Sequence, residues 1–253
     1  VVAPVAMPAG TAKISFTSGS TGAPKGVCLG AAGLMATARA LVDRLANLPI
    51  RTHLAVLPLS LLLENCAGIY APLLRAARIC LPDLSSLGWH GMAAFTPAAL
   101  QRAVCAAAAN SLILVPELLK AWTIFLATTK QRAPSGLRYV AVGGARISPD
   151  LLSRARALGL PAYEGYGLTE CGSVVSLNRP GDDGIGVGRP LDPLAVRIDD
   201  GEIRVGTRSF LGYVGDRSSG QDGIIAPVRE FATGDLGRCD ADGHLHLSGR
   251  RKN

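Results

Sequence analysis

Apolar and polar positions along the chain fall into two textures. Through the first two thirds, short apolar runs take turns with longer stretches of helical spacing. KISF (13–16) and HLAVLP (53–58) have the length and composition of strands, and LGAAGLMATARALVDRLANL (29–48) between them places apolar residues at helical intervals. RICLP (78–82) predicts the next strand. TPAALQRAVCAAA (96–108) predicts a helix with Thr96 as cap and Pro97 in its first turn, and SLILVP (111–116) a return to strand. YVAVGG (139–144) is an apolar strand ending in a glycine pair. SPDLLSRARALG (148–159) is a helix with a Ser cap and a terminal Gly, and PAYEGYG (161–167) is a strand with its loop. Alternation of this kind predicts an α/β fold, a mostly parallel sheet covered by helices.

From about residue 184 the texture changes. VRIDDGEIRVG sets Asp-Gly between two alternating strands, and CDADGHLHLSG repeats the device. The expected organisation is an α/β unit over residues 1–183 followed by a small antiparallel β subdomain over 184–248.

Composition narrows the function classes. Apolar residues make up 48% and aromatics 5% of the 253 residues, so the core is built mainly of Ala, Leu and Val. The formal charge of +7 comes from scattered Arg; the one basic cluster, Arg250-Arg251-Lys252, has no aromatics interleaved with it. That disfavours a nucleic-acid groove and favours a modest attraction for anionic ligands. Six widely spread cysteines, with no CxxC pair and no His at ligand spacing, argue against a disulfide framework and a zinc site; buried free thiols in a cytoplasmic protein are expected. The longest apolar run, LAVLPLSLLL (54–63), is interrupted by Pro58 and too short to span a bilayer.

The candidate chemistry begins at TSGSTGAPKG (17–26), directly after KISF. Gly19, Gly22 and Gly26 let backbone amides approach a ligand, Ser18, Ser20 and Thr21 add donors, and Lys25 adds a positive charge. These are the parts of a polyphosphate cradle. It is not the Walker form, because Gly26 rather than Ser or Thr follows the lysine. Open α/β sheets bind ligands beyond the carboxyl ends of their strands, and this loop, GGAR after YVAV and GYGLTE after PAYE are expected there together.

TSGSTGAPKG, GYGLTE (165–170), TGD (233–235) and GRRKN (249–253) occur in one order, and with them the chain resembles the adenylate-forming superfamily. That superfamily holds acyl-CoA synthetases, firefly luciferases and the adenylation domains of peptide synthetases. The resemblance implies that Thr17, Ser18, Gly19, Ser20, Thr21, Gly22 and Lys25 wrap the β- and γ-phosphates of ATP. Gly143, Gly144 and Ala145 would line the adenine pocket, with Tyr166 and Gly167 against the adenine face. Thr169 would hydrogen-bond the α-phosphate, Glu170 would hold Mg²⁺, Asp235 would accept both ribose hydroxyls, and Arg250 would reach the nucleotide from the hinge side. Thr169, Glu170 and Lys25 are the expected catalytic residues.

LPLSLLLENCAG (57–68) resembles a segment of long-chain acyl-CoA synthetases, but Leu61 stands where that branch has His and Asn65 where it has Arg. Relatives carry a further subdomain before the glycine-rich loop and, after the hinge, a domain with the adenylating lysine. Here sixteen residues precede Thr17, and residues 249–253 are the start of the hinge, so the resemblance implies either a fragment of a longer enzyme or a naturally shortened relative, the ending inside a motif favouring the fragment. The implied function is ATP-dependent activation of a carboxylic acid, a fatty acid, as its adenylate, followed by transfer to CoA. Loading of a carrier protein and a catalytically silent nucleotide-binding module are the alternatives.

Overall fold

In the computed structural model, residues 5, 7–18, 24–91, 94–182, 186–215 and 229–251 are described. A hairpin opens the fold: β1 (Thr11–Ser18) runs into the glycine-rich stretch and β2 (Pro24–Gly30) returns antiparallel, Thr17 paired with Lys25. Then come α1 (Ala31–Arg44), β3 (Thr52–Leu54), a π-helix (Glu64–Tyr70) continuing into α2 (Ala71–Leu74), and β4 (Arg78–Cys80). A two-residue ladder joins β5 (Trp89–His90) to β6 (Ala94–Phe95), ahead of α3 (Pro97–Ala107), β7 (Ser111–Leu114) and α4 (Pro116–Thr128). β8 (Tyr139–Val142), α5 (Pro149–Ala157) and β9 (Ala162–Tyr166) complete the alternating part. Beyond a single 3₁₀ turn at Thr169–Cys171 lie β10 (Ser176–Leu177), β11 (Arg189–Pro190), β12 (Val196–Asp199), β13 (Glu202–Thr207), β14 (Phe210–Tyr213), β15 (Arg229–Cys239) and β16 (Leu245–Arg250).

The chain folds as a mixed α/β protein around a seven-stranded sheet of order β11-β10-β9-β8-β7-β3-β4. Strands β9, β8, β7, β3 and β4 run parallel, and β10 and β11 close one edge antiparallel. Alternate residues of each strand face opposite layers. Leu112, Leu114, Val140 and Val142 pack under α3, α4 and α5, with Trp122 fully buried, while Tyr139 and Ala141 turn toward Leu41 of α1 and Ala71 of α2. Burial on both faces explains why these strands are near-continuous apolar runs.

Several expectations need correction. The glycine-rich loop does not leave a strand of the parallel sheet. KISF lies in β1, which pairs with β2, and β2 pairs on its other side with β14 in a separate antiparallel sheet. PKGVCLG folds as strand because Val27 and Leu29 are buried against Leu34, Leu62 and the π-helix residue Cys66, and Cys28 between them is fully buried as well. HLAVLP is strand only over Thr52–Leu54, and the helix expected over 29–48 spans Ala31–Arg44. Thr96 stands at the N-cap of α3, but its hydroxyl meets His90 Nε2 at 3.1 Å instead of a backbone amide; Ser148 does cap α5, accepting from the Leu151 amide at 3.2 Å. Of the six free cysteines, Cys28, Cys66 and Cys171 are buried, Cys80 is half-buried, and Cys105 and Cys239 are exposed.

The stretch 184–248 distributes its strands over three sheets. β12, β13, β15 and β16 form an antiparallel sheet of their own, with Asp200 and Gly201 as the turn between β12 and β13. β11 joins the large sheet and β14 the hairpin sheet. Asp240 organises the β15–β16 turn: its Oδ1 accepts from the amides of Asp242 (3.1 Å) and His244 (2.8 Å), and its Oδ2 lies 2.8 Å from His246 Nε2. The hydrogen bond from His246 and that from the His244 amide hold the Asp240 carboxyl down at about 2. No helix among the described residues is long and apolar enough to cross a membrane.

Candidate active site

The carboxyl ends of β8 and β9 open onto a cavity of about 410 Å³, a volume within the range of small-molecule sites. Gly143 and Gly144, just beyond β8, and the loop Gly165–Thr169, at the end of β9, form one wall. The Gly143 amide donates to the Leu114 carbonyl at 3.2 Å, which fixes this corner to the neighbouring strand. Ala145 is exposed and lies outside the cavity wall.

Tyr166 is the last residue of β9, and its hydroxyl donates to Asp235 Oδ2 at 2.7 Å. Burial, foremost, pushes the phenol well above its ordinary range; the Asp235 carboxylate adds to this while a hydrogen bond with Thr233 opposes it. Asp235 is placed by β15, with its amide donating to Thr233 Oγ1 at 3.0 Å and its Oδ1 3.7 Å from Arg250 Nε on the paired strand β16. Tyr166, Asp235 and Arg250, spread over 85 residues of sequence, thus converge.

The 3₁₀ turn sets Thr169 on the cavity and Glu170 beside it. Tyr213 of β14 donates its hydroxyl to Glu170 Oε1 at 3.1 Å, and the Lys25 ammonium sits 5.7 Å from the centre of the Tyr213 ring, within the range of a cation–π contact. Burial first, and then the Glu170 carboxylate, push the Tyr213 phenol up to about 12. Lys25 and Glu170 are therefore brought to one aromatic side chain by the pairing of β2 with β14. Thr17 faces Lys25 across the hairpin. Gly19, Ser20, Thr21 and Gly22 lie outside the described residues, as does the side chain of Ser18.

Gly167 is held by packing. A Cβ there would lie 1.7 Å from the Ser173 carbonyl oxygen, so only glycine lets this loop fold against its own continuation. Leu61, which replaces the expected His, lies on the cavity wall with Leu57 and Leu63; Asn65 is buried and donates to the Leu59 carbonyl at 2.9 Å. Tyr213 escaped the sequence reading because it belongs to no motif and reaches Glu170 only through strand pairing.

The donors suit a nucleotide and its metal. Glu170 offers one half-buried carboxylate, the set with which Mg²⁺ binds alongside phosphate oxygens and water. Asp235 offers a carboxylate oxygen beyond the one that Tyr166 engages.

A profile of the AMP-binding enzymes matches residues 2–209. An acyl-CoA synthetase, ALT10, of Alternaria alternata is 26% identical over 94% of this chain and 46% of its own length. The long-chain-fatty-acid–CoA ligase FadD15 of Mycobacterium bovis is 39% identical over 49% of this chain and 21% of its own. Among solved structures, the O-succinylbenzoate coenzyme A synthetase of Bacillus subtilis in complex with ATP and magnesium superposes with a TM-score of 0.75 at 24% identity, over 96% of this chain and 51% of that one. The chain spans about half the length of such relatives.

Proposed function

Because the chain belongs to the AMP-binding enzyme family, we propose that the protein activates a carboxylic acid with ATP and passes the acyl group to the thiol of CoA. The carrying observation is the hydrogen bond from Tyr166 to Asp235 at 2.7 Å, made at the mouth of the cavity that Gly143, Gly144 and Thr169 line. In this reading adenine lies between the Gly143-Gly144 corner and the Tyr166 ring, and Asp235 takes the ribose hydroxyls with the oxygen that Tyr166 leaves free. Thr169 hydrogen-bonds the α-phosphate. The loop from Thr17 to Lys25 holds the leaving pyrophosphate, with the Lys25 charge kept close by the Tyr213 ring. Glu170 would hold Mg²⁺, which would supply charge neutralisation at the phosphates when bound. The acid's carboxylate attacks the α-phosphorus and pyrophosphate leaves; the thiol, losing its proton, then attacks the acyl-adenylate's carbonyl carbon, the bond from that carbon to the phosphate oxygen breaks, and AMP leaves.

The acyl group lies along the cavity. Its walls of Leu41, Leu45, Ile50, Leu61 and Ile113 favour an apolar body of the fatty-acid type. The FadD15 relative, a long-chain-fatty-acid–CoA ligase, supports the same substrate class.

Titration calorimetry with AMP, and with ATP plus Mg²⁺, tests the nucleotide reading. Wild type should bind both. Asp235→Ala should weaken AMP by about tenfold or more, the effect of one hydrogen-bonding carboxylate, with its unfolding temperature retained. Equal affinities in a folded variant would remove Asp235 from the ribose site.

A further inference from the structure

A buried polar trio stands at the opposite end of this cavity from the nucleotide loops. His53 Nδ1 lies 2.9 Å from Ser111 Oγ, and His53 Nε2 lies 3.5 Å from Glu64 Oε1. Glu64 Oε2 accepts the Leu57 amide at 2.9 Å. All three side chains are out of bulk solvent: His53 is 3% exposed, Ser111 4% and Glu64 0%. His53 and Ser111 line the cavity. No sequence motif includes His53 or Ser111; Glu64 falls within LPLSLLLENCAG.

Their depth follows from register. Ser111 is the first residue of β7 and pairs with Tyr139, the first of β8, while Gly143 lies just past the last residue of β8. Four strand steps at about 3.3 Å separate the two ends, roughly 13 Å along the sheet. Ser111, Leu112, Ile113 and Val115 line the cavity along β7, as do Tyr139, Ala141, Val142 and Gly143 along β8. The cavity therefore runs the length of the strands, from the loops at one end to His53 and Ser111 at the other. Arg75, which also lines it, is engaged with the carbonyls of Leu45, Ala46 and Leu48.

The trio is built into its wall. Glu64 opens the π-helix, a helical form that recurs at functional sites, and packs over Gly68. A Cβ at Gly68 would lie 1.9 Å from Glu64 Oε1 and 3.1 Å from His53 Nε2. Resting on the activation reading above, we propose that His53 and Ser111, backed by Glu64, form a subsite for a hydroxyl group at the distal end of the acid.

Hydrogen-bond accounting selects a hydroxyl. If His53 gives Nε2–H to Glu64, Nδ1 accepts the Ser111 hydroxyl proton and the Ser111 oxygen faces the cavity as an acceptor. If Nδ1 carries a proton, it donates to Ser111 and the serine hydroxyl is free to donate. A ligand hydroxyl, both donor and acceptor, meets either state. A methyl terminus would leave the remaining capacity of Ser111 unmet in an apolar enclosure, and a second carboxylate would be brought toward Glu64.

Non-hydrolysable acyl-sulfamoyl-adenosines test this by calorimetry on the chain. One arm pairs ω-hydroxyalkanoyl compounds of increasing length with their methyl-terminated counterparts; the other pairs a para-hydroxyphenyl acyl compound with its phenyl counterpart. In at least one arm the hydroxylated member should bind about tenfold or more tightly, and that arm identifies the hydroxyl's carrier. Ser111→Ala should erase the preference, the deoxy member binding at least as tightly as it does to wild type because no unmet hydroxyl remains, and a thermal melt certifies the variant's fold. Equal binding of hydroxylated and deoxy members by wild type in both arms, or a preference that survives Ser111→Ala, overturns the subsite. Failure of every compound to bind overturns the activation reading and the subsite with it.

Discussion

At the scale of single residues, the sequence exposed those whose chemistry is tied to a short motif. Tyr166, Thr169, Asp235 and Arg250 were legible because glycines and neighbouring polar residues mark their loops, and the first, third and fourth do converge. His53 and Ser111 were not legible, and Glu64 was visible only as part of LPLSLLLENCAG. His53 and Ser111 each head an apolar run, 58 positions apart, and only parallel pairing of β3 with β7 makes them neighbours. A polar residue opening two apolar strands was the available signal. Gly167 has two claims on its position: it lines the cavity that its motif pointed to, and its close approach to Ser173 leaves no room for a side chain. Gly167→Ala should destabilise the chain by about 1–3 kcal/mol, the range for forcing a methyl into packed structure. A thermal melt would register this as a drop of several degrees; an unchanged melt would mean that the loop opens freely away from Ser173.

At the scale of elements, α1, α3 and α5 and strands β3, β4, β7, β8 and β9 were legible because their apolar periods or runs stand out from their flanks. β2 was not, since its leading Pro-Lys-Gly resembles loop and its strand form depends on partners at both edges. α4 was hidden for a different reason: PELLKAWTIFLAT is apolar nearly all round, so its period is weak. Strand β9 carries a titration that composition could not reveal. Glu164 is half-buried, and burial pushes its carboxyl up to about 7 against the opposing pull of the Ile147 amide and Arg146. The unfolded chain releases that proton near pH 4.5. Between the two values the folded chain holds a proton the unfolded chain has lost, so stability falls as pH rises from about 4.5 to 7 and stays lower above. Glu164→Gln keeps the acceptor for Ile147 and removes the charge. Its unfolding temperature should exceed wild type by a few degrees at pH 8 and match it at pH 4.5. A gain of equal size at both pH values would exclude the ionisation as its source.

At the scale of the whole molecule, Asp182 ties three distant pieces of chain together. It accepts from Arg44 at the end of α1 and from the Arg179 amide at 3.0 Å, and His244 of the β15–β16 turn lies 3.8 Å from its other oxygen. All three side chains are largely buried. Removing Asp182 leaves the largely buried Arg44 charge without its carboxylate partner, at a cost of about 3–5 kcal/mol for a buried pair. Asp182→Ala should therefore shift a urea unfolding midpoint markedly downward. A shift worth less than about 1 kcal/mol, the scale of an exposed pair, would show that Arg44 and His244 find water when Asp182 is gone. The hairpin sheet spans the molecule in another sense. β2 ends at Gly30 and its partner β14 begins at Phe210, about 180 residues later. At typical translation rates of about 5–20 residues per second, β2 leaves the ribosome roughly 10–40 s before the strand that covers its edge. Throughout that interval Val27, Cys28 and Leu29, fully buried in the finished fold, flank an open row of backbone donors and acceptors. Neighbouring nascent chains on one message carry the same open edge, so codons that slow synthesis between these strands lengthen the period in which two copies can pair with each other instead of with themselves.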